Sequence, residues 1–166
     1  ATTRTPREGE CHGVHYFFMT KEEFEEQIAN GQMLEHAEYC GKYYGTPSSQ
    51  IMDWIEEGRD VVLEIEVQGA RQIKEKRPDC VSIFVLPPSL EELEKRLRYR
   101  NTEDEETIQK RLAVARQEME TARDYDYVIV NDTIEHTVEQ INKIIAAEKL
   151  KVSRAKSNIE RVLNND

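Results

Sequence analysis

Short apolar stretches alternate along this chain with longer segments in which apolar residues recur every three or four positions. Four of the apolar stretches predict strands, and they read YFFMT, DVVLEIEV, CVSIFVLPP and DYVIVND. A further segment, QMLEHAEYCGKYYGT, has mixed β character with a turn at Cys40 and Gly41. The last three of the four stretches are apolar enough for burial, which indicates a largely parallel sheet.

The segments between the strands have helical periodicity and recognisable helix ends. Thr20 and Glu23 form a capping-box pattern before one helix, and Gly31 lies where that helix ends. Ser89 and Glu92 repeat the capping pattern. The predicted helices read TKEEFEEQIANG, PSSQIMDWIEEG, QGARQIKEKR, SLEELEKRLRYR, TEDEETIQKRLAVARQEMETA and TIEHTVEQINKII. Strands separated by helical crossovers predict an α/β fold, in which ligands bind at the carboxyl ends of the strands.

Composition restricts the classes of function. The length of 166 residues suits one compact domain, and no apolar run approaches the roughly 20 residues that cross a bilayer. The net charge of −10 argues against general nucleic-acid binding, although local arginines can still hold a small anion. The three cysteines lack CxxC spacing, which favours a reducing compartment such as the cytoplasm, and the four histidines lack metal-ligand spacing.

Two groups of arginines are candidates for phosphate binding. Arg4 and Arg7 lie three positions apart, and a planar guanidinium group suits a phosphate because it donates two hydrogen bonds at once. Two solvated loop arginines would give the same pattern. Arg96 and Arg100 share a helical face, and Arg111 follows in the next predicted helix. This second group predicts either a lid that closes cations over a phosphate or an exposed helical hairpin.

Carboxylates on the predicted strands are candidates for base or metal recognition. Glu35 lies on the opposite strand face from Leu34 and His36. A carboxylate there can accept from the N1–H and the exocyclic amino group of guanine, a pair that adenine lacks, or it is a solvated charge. Glu64 and Glu66 alternate along one predicted strand and so share a face. They predict a Mg²⁺ or nucleobase contact, or a pair of exposed charges.

Polar side chains in two further segments complete the candidates. In YYGT, the hydroxyl groups of Tyr43, Tyr44 and Thr46 fit either a phosphate or base contact or a turn with core tyrosines. Asn131 and Asp132 follow the last predicted strand, at the end where such sheets bind ligands.

The order of these segments resembles the guanylate kinase family. The resemblance runs from residue 1 to about residue 150 and rests on TTRTPREGE, GVHYFF, MLEHAEYCGKYYGT, VVLEIEVQGARQIK, SIFVLPPSLEELEKRLRYR, KRL and DYVIVND. It implies a P-loop-kinase-like parallel sheet flanked by helices, with a small mixed α/β GMP-binding lobe and a helical lid. It also implies a GMP-binding region at 1–55, a core at 56–150 with its lid at 96–112, and a charged C-terminal helix or tail at 151–166.

The resemblance implies phosphoryl transfer from ATP to GMP, giving ADP and GDP, with Mg²⁺, in cytoplasmic purine nucleotide metabolism. It assigns two arginines and two tyrosines to the GMP phosphate, and two glutamates and a threonine to guanine. The phosphate residues are Arg4, Arg7, Tyr16 and Tyr44, and the guanine residues are Glu35, Thr46 and Glu66.

The resemblance also assigns residues around ATP. Arg96, Arg100 and Arg111 would surround the transferring phosphoryl group as catalytic residues, and the first two would also bind ATP. Asn131 would lie close to the adenine. Glu64 would lie near the phosphates and the Mg²⁺, which it would contact indirectly; the family often has aspartates at the strand positions occupied here by glutamates.

The main departure from the family concerns the ATP phosphates. The family begins with a strand and a Gly-rich P-loop, and no G-x-x-x-x-G-K-[ST] occurs in this sequence. We therefore expect roughly the first 30 residues of the family pattern to be absent here, and these 166 residues alone to have negligible kinase activity. A smaller departure is Asn101, where the family's lid more often has glycine.

An alternative from another class is a guanylate-kinase-like protein-interaction module that does not handle ATP. The presence of the whole GMP-site set and the lid arginines favours the enzyme, and Glu35 with Thr46 disfavours a kinase for another nucleotide. The expected partners are GMP and ATP, with no nucleic acid and no membrane. A homodimer is compatible with this interpretation.

Overall fold

The computed structural model describes residues 1–99 and 104–164, apart from the side chains of residues 157 and 158. The chain forms two compact units, Ala1–Cys80 and Val81–Asp166. Each unit combines helices with one pair of strands. The predicted α/β class is confirmed by this content and by the structural comparison given below.

The first unit places a β-hairpin between helices. Its elements are α1 (Lys21–Ala29), β1 (Met33–Tyr39), β2 (Lys42–Pro47), α2 (Ser48–Glu56) and α3 (Val67–Lys76). The predicted capping box is present, because the backbone N–H of Glu23 donates to Thr20 and the backbone N–H of Thr20 donates to the Glu23 carboxylate. Gly31 follows the end of α1 with a φ of 67°, as the sequence predicts.

The hairpin pairs β1 and β2 in antiparallel register across the predicted turn. Cys40 and Gly41 both have positive φ, which is the backbone conformation that a tight hairpin turn needs. Glu35 lies opposite Thr46 in this register. Helix α3 packs on β1, and the Gln72 amide exchanges hydrogen bonds with the backbone N–H and C=O of His36. The hairpin therefore holds Glu35 between its partner strand and α3.

The second unit contains a parallel pair of strands with helical connections. Its elements are β3 (Ile83–Leu86), α4 (Leu90–Tyr99), α5 (Glu105–Glu120), a short 3₁₀ helix (Thr121–Asp124), β4 (Tyr127–Val130), α6 (Ile134–Lys149) and α7 (Lys156–Leu163). Strand β3 pairs with β4 from Ile83 opposite Tyr127 to Leu86 opposite Val130. The predicted Ser89 cap is present, since the backbone N–H of Glu92 donates to its hydroxyl.

Two predicted strands are not formed. Residues 59–66 have no regular structure, and Val62 is 76% exposed, so the expectation of a buried strand here is wrong. The stretch YFFMT forms only isolated bridges, including that of Phe18 to Thr2. A strand persists where a neighbour accepts and donates its backbone hydrogen bonds, and no described strand pairs with either stretch.

The burial expected for the two remaining strands holds only in part. On β4, Ile129 is buried, whereas Val128 and Val130 are exposed. On β3, Val85 is exposed as well. A two-stranded sheet covers its residues less completely than a wide sheet with helices on both faces, and one side of each strand therefore faces solvent. Within the described residues, no helix combines the length and the apolar character that a membrane span requires.

Candidate functional site

A buried carboxylate lies at the centre of the first unit. Glu35 is 3% exposed and shares its strand face with the buried residues Met33 and Ala37. The Thr46 hydroxyl donates to Glu35 Oε1 at 2.6 Å. The predicted alternation is present, but Glu35 is on the inner face and is not a solvated charge. The structure thus brings together Glu35 and Thr46, two of the three residues that the family resemblance assigned to one ligand group.

The first turn of α3 closes over this carboxylate. A Cβ placed on Gly69 would lie 2.2 Å from Glu35 Oε2, so the backbone approaches the carboxylate more closely than any side chain allows. A negative charge near a helix N-terminus is also stabilised by the helix dipole. Gly69 was not among the site residues predicted from the sequence. Its signal was a glycine in the first turn of a predicted helix, where alanine would be the better helix former.

We predict that Gly69→Ala displaces the Glu35 carboxylate. Alanine is about 1 kcal/mol more favourable than glycine in a helix, so the substitution would stabilise α3 if nothing lay close to this position. The added Cβ instead forces Glu35 Oε2 away, and we expect binding of the ligand that uses this carboxylate to weaken by about tenfold or more. Gln68→Ala, at the preceding exposed position of the same turn, is the control. Equal affinities of the two variants in a binding titration would contradict this prediction.

The predicted phosphate group is organised around Arg4. Its Nη1 and Nη2 donate to the two oxygens of Glu10, each at 2.9 Å. Its guanidinium carbon lies 5.5 Å from the ring centroid of Tyr16 and 5.7 Å from that of Phe18. The hydrogen bond from Arg4, followed by that from the Arg7 backbone, lowers the pKa of Glu10 to about 2. The guanidinium is therefore held in one orientation by a carboxylate and two rings.

The other predicted phosphate residues lie beside this pair. Tyr16 contacts Tyr44 edge to face, with ring centroids 6.4 Å apart. The Glu10 carboxylate raises the pKa of Arg4, and the Tyr44 side chain adds a smaller contribution in the same direction. Arg7 donates its backbone N–H to Glu10 at 2.7 Å, and its side chain is exposed. Arg4, Tyr16 and Tyr44 thus form one cluster, while Arg7 joins it through its backbone.

Glu64 and Glu66 do not share a strand face as predicted, because their segment is not a strand. Glu64 is exposed. Glu66 has extended backbone geometry at the N-cap of α3, and its side chain does not cap the helix. In residues 1–99 and 104–164, no group of three or more His, Cys, Asp or Glu side chains is arranged to hold a metal ion.

The second unit brings together two residues that the sequence assigned to ATP. Arg96 Nη1 donates to the backbone oxygen and to Oδ1 of Asn131, at 3.0 and 3.2 Å. Its Nε donates to Glu92 and its Nη2 to the backbone oxygen of Asp132. Asn131 directly follows β4, so this arginine marks the carboxyl end of the parallel pair. The position agrees with the rule that such sheets bind ligands at that end.

Of the two remaining arginines assigned to ATP or to the transferring phosphoryl group, the structure describes only one. Arg111 is half-buried on α5, and Arg100 and Asn101 lie outside the described residues. Arg98, which was not predicted from the sequence, donates to Glu94 on its own helix and to Glu105 at the start of α5. These two carboxylates raise the pKa of Arg98, and Arg98 lowers the pKa of Glu105 to about 2. Arg98 therefore links α4 to α5.

Comparison with known proteins finds similarity over nearly the whole chain. The family model for guanylate kinase matches residues 1–148. A guanylate kinase of Desulfitobacterium hafniense is 52% identical over 154 residues, which are 93% of this chain and 77% of that protein. One from Clostridioides difficile is 53% identical over 159 residues, covering 96% of this chain and 78% of that protein. The crystal structure of guanylate kinase from Anaplasma phagocytophilum superposes with a TM-score of 0.79 at 40% identity, covering 92% of this chain and 75% of that one.

These similarities extend over both units and include each segment that carries the candidate residues. The class that they define is the nucleoside monophosphate kinases. Within this class, the chain belongs to the guanylate kinase family.

Proposed function

We propose that the chain binds GMP in its first unit, with guanine at Glu35, and that the reaction served by this site is phosphoryl transfer from ATP to GMP. ADP and GDP are the products. The observation that carries the proposal is the buried Glu35–Thr46 pair. Membership of the guanylate kinase family supports the reaction.

The chemistry of the Glu35 carboxylate favours guanine. An ionised carboxylate only accepts hydrogen bonds, and guanine presents two adjacent donors, its N1–H and its exocyclic amino group. Thr46 donates to one carboxylate oxygen and so fixes the plane of the group. Adenine would place the unprotonated N1 acceptor against a carboxylate oxygen, which repels it. A buried group that is left unpaired in this way discriminates strongly between ligands.

The Arg4 cluster supplies groups suited to the GMP phosphate. We assign the phosphate to the guanidinium groups of Arg4 and Arg7 and to the hydroxyl groups of Tyr16 and Tyr44. Arginine forks donate paired hydrogen bonds to phosphate oxygens, and phenols add neutral donors. A phosphate held on one side and a base held at Glu35 on the other would fix the nucleotide as an acceptor for the transfer.

On the ATP side, we assign Arg96, Arg100 and Arg111 to the charge on the transferring phosphoryl group, and Asn131 to the adenine. Phosphoryl transfer needs little covalent help, so placement and positive charge supply most of the catalysis. Mg²⁺ enters this proposal together with ATP, and we assign the exposed Glu64 to an indirect contact with it, since Mg²⁺ keeps several of its waters when it binds phosphates. Cytoplasmic location stays a prediction.

The assignment of GMP to the first unit is tested by mapping amide chemical shifts during a GMP titration. We expect the largest shifts at the backbone amides of Glu35, Thr46, Gly69, Arg4 and Arg7. Helices α6 and α7 of the second unit serve as internal controls, and we expect little change there. Shifts confined to residues outside these two clusters would contradict the assignment.

A further inference from the structure

The carboxylate of Glu10 accepts three hydrogen bonds from protein groups, although it lies in an irregular segment near the start of the chain. Its two oxygens accept from Nη1 and Nη2 of Arg4, and Oε2 also accepts from the Arg7 backbone N–H at 2.7 Å. Its own backbone N–H donates to the Arg7 oxygen at 3.1 Å, which closes the turn between them. One side chain thus connects the guanidinium of Arg4 with the backbone of Arg7. Family resemblance assigned Glu10 no role.

The bonds to Glu10 leave a second fork of Arg4 for a ligand. A guanidinium has five N–H groups. Glu10 takes one from Nη1 and one from Nη2, and the backbone oxygen of Thr5 takes the other from Nη1 at 2.8 Å. Glu10 and Thr5 do not use the N–H groups on Nε and on the near side of Nη2, which are parallel and spaced for two oxygens of a phosphate. The Tyr44 side chain, which is assigned to the same phosphate, also has a hydrogen bond with Arg4. Glu10 therefore binds the Nη1–Nη2 edge of the guanidinium and does not use the Nε–Nη2 edge.

We propose that Glu10 is a positioning residue of the phosphate site, which turns the Nε–Nη2 edge of Arg4 toward the GMP phosphate and fixes Arg7 beside it. The inference rests on the proposed function. Glu10 itself would not contact a phosphate oxygen, because the two groups are both anions and repel each other. Its carboxylate stays ionised under all ordinary conditions, in agreement with its strongly lowered pKa, so the clamp on Arg4 does not depend on pH near neutrality.

A competing role for Glu10 predicts the opposite effect. A carboxylate bound to a phosphate-binding arginine could compete with the phosphate. The phosphate would then have to displace this carboxylate from Arg4 in order to bind. The backbone contacts argue against this, because Glu10 is fixed by the Arg7 N–H and by its own turn as well as by Arg4. Displacing it would break these bonds together. The two roles are distinguished by the sign of the change in GMP affinity when the Glu10 charge is removed.

The test compares Glu10→Gln with the wild type in titrations of GMP and of guanosine, which lacks the phosphate. We expect the affinity for GMP to fall by about tenfold or more. Affinity falls by a similar factor at metal sites when a residue that orients a ligating side chain is removed. We expect the affinity for guanosine to change less than about twofold, because Glu35 and Thr46 are unaltered. Glu8→Gln is the control, because Glu8 is exposed and lies two residues from Glu10, so that its substitution removes the same charge.

Four other outcomes would contradict the proposed role of Glu10 or the binding site on which it rests. Tighter GMP binding by Glu10→Gln would show that Glu10 competes with the phosphate. An equal loss of GMP and guanosine affinity would mean that Glu10 supports the whole lobe and does not position the phosphate site. A folded wild-type chain that binds guanosine but gains nothing from the phosphate would overturn the phosphate assignment itself. A folded wild-type chain that binds neither ligand would overturn the proposed function, and this inference with it.

Discussion

Glu35→Gln is expected to weaken GMP binding by about 10- to 150-fold, since hydrogen bonds to a charged acceptor contribute about 1.5–3 kcal/mol. The substitution keeps the size of the side chain and replaces one acceptor oxygen by an NH₂ donor. That donor would face a guanine donor in a site that is 3% exposed, where water cannot compensate. We expect the affinity for AMP to stay the same or to rise, so the variant loses selectivity as well as affinity.

Glu38→Gln is the matched control for this experiment. Glu38 lies on the same strand and is exposed, so its substitution changes the net charge equally without touching the buried site. Calorimetric titration of GMP and AMP into the wild type and both variants gives the affinities. If Glu35→Gln bound GMP as tightly and as selectively as Glu38→Gln, the role assigned to Glu35 would be wrong.

Phe24→Ala is expected to produce the largest loss of stability among single substitutions in the first unit, about 3–5 kcal/mol in the free energy of unfolding. Phe24 is completely buried, and its ring stacks on Tyr43 with centroids 5.5 Å apart. It also fills the space over Gly45, where an added Cβ would lie 2.9 Å from the Phe24 ring. The substitution therefore leaves a cavity between α1 and the hairpin that carries Glu35.

The measurement is chemical denaturation of the wild type and of two phenylalanine variants. Phe17→Ala is the control, because Phe17 is 48% exposed and its loss opens no comparable cavity. Because small domains unfold with about 5–15 kcal/mol, the expected loss for Phe24→Ala is a large part of the total. A similar midpoint and slope for both variants would contradict the central packing role of Phe24.

Local sequence signals predicted the helices and the hairpin because these elements depend on neighbouring residues. The capping box at Thr20 and Glu23, the turn at Cys40 and Gly41, and the cap at Ser89 all formed as expected. The strand predicted at 60–67 was wrong because a strand depends on a partner that lies elsewhere in the sequence. Apolar composition alone does not reveal whether that partner is present.

Site residues could be predicted from the sequence where the type of side chain itself indicates a ligand contact. The family resemblance assigned Glu35 and Thr46 to guanine, and the structure shows a hydrogen bond between these two side chains. The contributions of Gly69 and Glu10 could not be predicted in the same way. Gly69 matters because a helix backbone approaches Glu35, and Glu10 because its side chain meets Arg4 and the Arg7 backbone simultaneously. Both effects depend on distances that appear only after folding.

We propose that the first unit recognises GMP through the buried carboxylate of Glu35. Calorimetric titration of GMP into the wild-type chain, with AMP in a matched titration, tests it most directly. We expect GMP to bind and AMP to bind at least about a hundredfold more weakly, because adenine lacks the adjacent pair of donors that the Glu35 carboxylate accepts from. Equal affinities for GMP and AMP, or no GMP binding by a chain shown to be folded, would contradict it.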